Sequence, residues 1–240
     1  MEGFTIGILA SMSQTTGQAH ERQRRFCSGT ACGYDECMDS ELRDLFGEIV
    51  ARNAGALSRR MKASPDLALA SLKTGASRSA SHEFFLREIM HYVYAGDTAL
   101  HVAAAAHWPE GVSQLVKAGA RLDAINRHKQ TPLHYACAGG PGLPSWNPRA
   151  QASTIQTLLD AGADPNVTAK GVAPLHLAVR NRCALAVETL LKGGANPNQK
   201  NKSGSTPAHL ATVSSGRGGT GSAEAKAQQA QIIALLKAAR

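Results

Sequence analysis

The chain has 240 residues, 43% hydrophobic, 18% charged and only 5% aromatic, with a formal net charge of +8. No apolar run approaches the ~18 residues that span a bilayer, Ile6-Gly7-Ile8-Leu9-Ala10 follows an acid rather than a basic leader, and five cysteines are an odd count in a chain too long to need staples. These features argue against a membrane span, a secretory signal and a disulfide scaffold, so a soluble, cytoplasmic protein in a reducing compartment is expected.

In chain order, residues 1–38 show no periodicity and are expected to be disordered. Within them Cys27, Cys32 and Cys37, with His20 nearby, form a zinc donor set, but C-x4-C-x4-C lacks the C-x2-C knuckle of common zinc folds. Glu41–Asn53 carries Leu42, Leu45, Phe46 and Ile49 at helical spacing, and a shorter helix over Gly55–Lys62 should follow. Ala63-Ser64-Pro65-Asp66 then breaks the pattern. Ser81–Tyr94 is expected to be a further helix, with Phe85, Ile89 and Val93 on one stripe.

From residue 98 onward the chain repeats. Thr98-Ala99-Leu100-His101-Val102-Ala103, Thr131-Pro132-Leu133-His134-Tyr135-Ala136, Ala173-Pro174-Leu175-His176-Leu177-Ala178 and Thr206-Pro207-Ala208-His209-Leu210-Ala211 begin 33, 42 and 33 residues apart. A second motif keeps step: Gly119-Ala120, Gly162-Ala163-Asp164-Pro165-Asn166 and Gly194-Ala195-Asn196-Pro197-Asn198, each after a pair of apolar residues. Thr caps a helix, Pro at the first helical position gives up a donor that has no partner there, and Gly ends the second helix in a left-handed turn. Each unit reads as helix, turn, helix and extended finger, and only stacking buries its apolar face.

These motifs resemble the ankyrin repeat, and the resemblance covers residues 98–240 strongly. It implies an all-α solenoid of stacked helix-turn-helix repeats over 39–240. Its first repeat, 40–70, is degenerate, its expanded finger, 71–97, carries a helix, and further repeats start at 98, 131, 173 and 206. Gly139–Pro148, with three prolines and three glycines, should be a loop between two helices, and Ser214–Ser222 a flexible insertion before a closing helix over Ala223–Ala238.

Nine histidines invite a metal or catalytic reading, but His101, His134, His176 and His209 occur once per unit. In ankyrin-like repeats this histidine bonds between neighbours, and the units lie too far apart to share one ion. There is no G-x-S-x-G, Walker loop or H-E-x-x-H, so a non-enzymatic protein without cofactor is expected. Residues 65–240 hold 18 basic and 10 acidic residues, the whole of the excess. That favours a protein partner with an acidic surface; nucleic acid is a weaker alternative, because the cations are not interleaved with aromatics.

The resemblance places partner contacts on finger tips and late in the first helices, on the concave face. The candidates are Tyr94, Arg127, His128, Gln130, Lys170, Val172, Arg180, Asn181, Lys202 and Ser205, with Tyr94, Arg127 and Arg180 as anchors because Tyr and Arg dominate hot spots. The expected role is a monomeric scaffold or adaptor, with regulatory binding to an acidic enzyme or nucleic acid, or an N-terminal zinc module, as alternatives. Lys129 stands where the family usually has Gly, which strains the finger if that position needs positive φ.

Overall fold

A computed structural model describes residues 34–78, 80–143, 146–213 and 221–239. It contains five helix pairs: α1 (Tyr34–Val50) and α2 (Ala54–Ala63), α3 (Ala99–Ala105) and α4 (Pro109–Lys117), α5 (Pro132–Ala136) and α6 (Pro148–Asp160), α7 (Pro174–Arg180) and α8 (Ala184–Lys192), and α9 (Pro207–Thr212) and α10 (Ala223–Ala238). The odd-numbered helices stack in one layer and the even-numbered in a second.

After α1, the helices of the odd-numbered, inner layer are short, five to seven residues each. All seven residues of α3 are buried, four of them alanines, so neighbouring backbones approach closely. The outer helices bury Leu115, Ile155, Leu158, Val187, Leu190, Ile232 and Leu236 against inner residues such as Phe46, Leu100 and Tyr135. Each fully buried Leu or Ile stabilises by roughly 1.5–3 kcal/mol.

The repeated Thr-x-x-His has a physical role. Thr98 N–H donates to His101 Nδ1 at 3.2 Å, so that nitrogen is the acceptor and Nε2 carries the proton. The Nε2–H then reaches the carbonyl of Gln130 in the next finger, at 3.0 Å. His134 does the same from Thr131 to the Val172 carbonyl, at 3.1 Å. His176 bonds its own cap at Ala173, but its Nε2 lies beside the Ser205 and Gln199 backbone without standard hydrogen-bond geometry. His209, in the last repeat, is exposed.

Three expectations are corrected. The first helix begins at Tyr34, so residues 34–38 are helical rather than disordered; Met38 packs on the core and the Asp39 carboxylate accepts the Lys73 and Thr74 amides of the first finger. Residues 1–33, with Cys27 and Cys32 of the zinc alternative, lie outside the described residues. The same helix ends at Val50, short of the expected Asn53, because Arg52 turns left-handed (φ 52°) and Asn53 caps α2 instead.

The largest correction is Ser81–Tyr94, which is not an α-helix. A 3-10 turn, His82–Phe84, leads into β1 (Phe85–Leu86), and a second, Arg87–Ile89, forms the connection to β2 (His91–Tyr92), the strands pairing Phe85 to Tyr92 and Leu86 to His91. Aromatic residues suit the pleat, and the Phe85 and Tyr92 rings meet across it at 4.6 Å. Val93 is tied on both sides, donating to Phe84 and accepting from Ala76. A helix would forfeit those bonds to bury a stripe of which only Val93 finds a buried place.

Candidate functional site

The first finger is joined to the second, and the third to the fourth, backbone to backbone. Arg127 N–H donates to the Ala95 carbonyl at 2.8 Å and Lys202 N–H to the Gly171 carbonyl at 3.0 Å. A Cβ on Gly171 would stand 2.8 Å from that of Lys202, and its φ is 77°, so this close approach demands glycine. The corresponding turn one finger earlier holds Lys129 at φ 63°, the expected strained geometry.

Beneath the first two fingers lies a closed polar network. Asp97, fully buried, accepts the Tyr94 amide (2.7 Å), the Tyr135 hydroxyl (2.8 Å) and Asn126 Nδ2 (2.9 Å). Burial dominates these favourable bonds and raises its pKa to about 6. Asn126 also supplies Oδ1 to the amides of His128 and Gln130, so this network shapes the finger tip.

On that support sits a cavity of about 440 Å³ between the fingers and the inner helices. Of the residues expected from sequence, Tyr94, His128, Gln130, Lys170, Val172, Arg180 and Lys202 line it. Arg127 stands at its edge with its guanidinium 4.8 Å over the Tyr94 ring, while the His128 ring meets the same Tyr94 edge-on at 4.5 Å. Arg127 Nε lies 3.2 Å from His128 Nε2, and Lys170 Nζ lies 3.2 Å from His128 Nδ1. Partial burial, then Lys170 and Arg127, hold the His128 pKa below its ordinary value, so the imidazole is neutral at pH 7. Asn181 and Ser205 are not part of this lining: Asn181 Nδ2 donates to the Cys137 carbonyl, tying two inner helices together, and the Ser205 amide donates to Asn201 within its own finger.

A second, smaller cavity of about 100 Å³ was not foreseen. The hairpin, through Ile89, Met90 and His91, forms one wall, and the loop after α5, through Gly139, Leu143 and Trp146, forms the other. Trp146 is half-buried, with Nε1 donating to the buried Gln151 at 3.0 Å. No sequence signal brings these two insertions together; they meet only once the repeats stack.

No group of three metal-ligating residues occurs among the described residues, and no described helix is long and apolar enough to cross a membrane. Cys137 and Cys183 are buried; burial pushes the Cys183 thiol up to about 11 and Cys137 higher, which makes them packing residues rather than nucleophiles at pH 7.

Residues 74–143 and 146–220 match the family model described as ankyrin repeats (3 copies). The chain is 38% identical over 115 residues to mouse "Ankyrin repeat and SOCS box protein 16", a stretch covering 48% of this chain and 25% of that protein. It is 34% identical over 127 residues to mouse "B-cell lymphoma 3 protein homolog" (50% and 26% covered) and 31% identical over 171 residues to the chicken "Nuclear factor NF-kappa-B p105 subunit" (59% and 16% covered). The chain therefore spans about a quarter or less of the length of these relatives. With the family model covering more than half of the sequence and the stacked helix pairs supplying its geometry, the chain belongs to the ankyrin-repeat family.

Proposed function

We propose that the chain is a non-enzymatic scaffold or adaptor that binds an acidic protein partner on the concave face of its repeats. Ankyrin repeats are protein-interaction modules, and the finer assignment rests on one observation. The cavity of about 440 Å³ is lined by Lys170, Arg180 and Lys202, with Arg127 stacked on the lining Tyr94, and none of the four is ion-paired among the described residues. Cations held on the fingers and at the end of α7 attract a negative surface, speed encounter and lose little entropy on binding.

The test is affinity capture from a lysate of the source cells, comparing the native chain with an Arg127→Glu, Lys170→Glu, Arg180→Glu variant. All three side chains are exposed, so the variant should melt at the native temperature. The expected outcome is a specific set of proteins held by the native chain, released as salt rises, and missing from the folded variant. Equal capture by both would place the interface elsewhere, with the Trp146 loop next in line.

A further inference from the structure

Deepening that reading, and resting on it, we infer that the pocket formed by Arg127, His128, Lys170, Arg180 and Lys202 receives a phosphorylated side chain of the partner, a phosphomonoester rather than a carboxylate.

The first observation concerns hydrogen-bond valence at His128. Both of its ring nitrogens have a cationic donor 3.2 Å away, Arg127 at Nε2 and Lys170 at Nδ1. A neutral imidazole has one acceptor nitrogen and one N–H. One of the two donors therefore always faces another donor, and the cluster is short of an acceptor. The acid that bears on His128, Asp97, does not relieve this, because its oxygens are taken by Tyr94, Tyr135 and Asn126 beneath the fingers.

The second observation is the amount of unmatched charge. Four permanent cations edge the cavity, and none has a carboxylate partner among the described residues. A carboxylate brings one charge and two oxygens. A phosphomonoester brings roughly −1.5 to −2 at pH 7 and three strong acceptor oxygens, enough to engage an arginine fork and a lysine together. At about 440 Å³ the cavity has room for the group and the side chain that carries it.

The third observation separates this ligand from a nucleic acid. A single strand would need an open aromatic face for its bases, and the face of Tyr94 is already covered by the Arg127 guanidinium at 4.8 Å. A phosphodiester also carries only one charge. The pocket reads as a point receptor for a dianion, with Tyr94 holding Arg127 and His128 in place.

The experiment is fluorescence anisotropy on the full chain with fluorescein-labelled peptides of degenerate flanks. Their central residue is phosphoserine, phosphothreonine or phosphotyrosine, with serine-centred and glutamate-centred peptides and a short single-stranded oligonucleotide beside them. At least one phosphopeptide pool should bind about tenfold tighter than the glutamate pool, the gain of one or two further charge-assisted hydrogen bonds. Lys170→Ala and Arg180→Ala should each weaken it about tenfold with melting temperature unchanged, while Lys117→Ala, on the outer helix α4, should leave it as it is.

Equal affinity for phosphopeptide and glutamate pools, absence of phosphopeptide binding, or tighter binding of the oligonucleotide overturns the inference. The underlying reading is judged separately by capture from phosphatase-treated lysate. If the charge-dependent partners are still retained after that treatment, an acidic-partner scaffold stands and phosphate recognition falls.

Discussion

Tyr135 shows how one residue of the repeat motif serves two neighbours. Its ring is buried against His101 and His91, and its hydroxyl donates to Asp97. Tyr135→Phe keeps the ring and removes a donor from a buried carboxylate, leaving Asp97 with the Tyr94 amide and Asn126. We expect a loss of about 1–3 kcal/mol, read from urea denaturation at pH 7. Lys129 is the opposite case. Its φ of 63° is left-handed, whereas Gly171 and Gly204 hold the equivalent turns at 77° and 76°. Lys129→Gly should stabilise the chain by about 0.5–1 kcal/mol, the relief of left-handed strain less the added entropy of the unfolded chain. A midpoint unchanged or lowered in the same assay would show that the turn bears no strain. The Thr-x-x-His bonds and the glycine at this turn were legible in the sequence because they are local or periodic. The part played by Asp97 was not legible, since nothing in the chain announces that Asn126 and Tyr135 converge on it.

Elements were read well where one periodicity governs them and poorly where long-range pairing competes. The closing helix runs over Ala223–Ala238 as its sequence suggests, burying Ala225, Ile232 and Leu236. Its polar residues do more than face water: Gln228 accepts the Ala184 amide and Gln229 donates to the Ala211 carbonyl, so this helix also closes the ends of its neighbours. Gln151 plays the same part for α5. Its buried amide donates to the carbonyl of Ala136, the last residue of a five-residue helix, and to that of Ala138, which His107 Nε2 also reaches, while its oxygen accepts from Trp146. Gln151→Ala should therefore cost about 2–3 kcal/mol and loosen the Trp146 loop, seen as a red-shifted tryptophan emission alongside a lowered melting temperature. The hairpin at Phe85–Tyr92 was misread because a 3–4 spacing of aromatics fits a helix stripe and a folded strand pair alike, and the pairing edge offered by residues 71–76 is supplied by the rest of the fold.

Across the whole molecule, stacking couples stability to pH. Burial lowers the pKa of His91, His101, His107 and His134 to about 4 from an ordinary 6.5. Between these values the unfolded chain binds protons that the folded chain refuses. The stability these neutral histidines provide is complete above about pH 6.5 and is lost as pH falls toward 4. Asp97 acts in the other direction: with its pKa raised from 3.8 to about 6, it favours the fold below 3.8 and that contribution is lost as pH rises through 6. Four histidines outweigh one carboxyl, so the urea midpoint should drop steadily from pH 7 to pH 5, with a slope of up to roughly 1.4 kcal/mol per pH unit for each uncompensated histidine. A midpoint flat over that range would mean that the histidines are not held neutral by the stack.

The sequence by itself determined the repeat period, the capped inner helices, the glycine-ended outer helices and the positions at finger tips, because each depends on residues within one unit or on spacing alone. Tertiary structure decided the rest. Only the stack sets His128 between Arg127 and Lys170, residues from separate fingers, and ties the finger that carries Arg127 and His128 through Asn126 to a buried carboxylate. It alone brings the hairpin against the Trp146 loop and ties Asn181 to the Cys137 carbonyl at the end of the neighbouring inner helix. Charge and hydrogen-bond valence become specific only when side chains from different repeats face one another, and that distance is written in the packing of units rather than in their sequence.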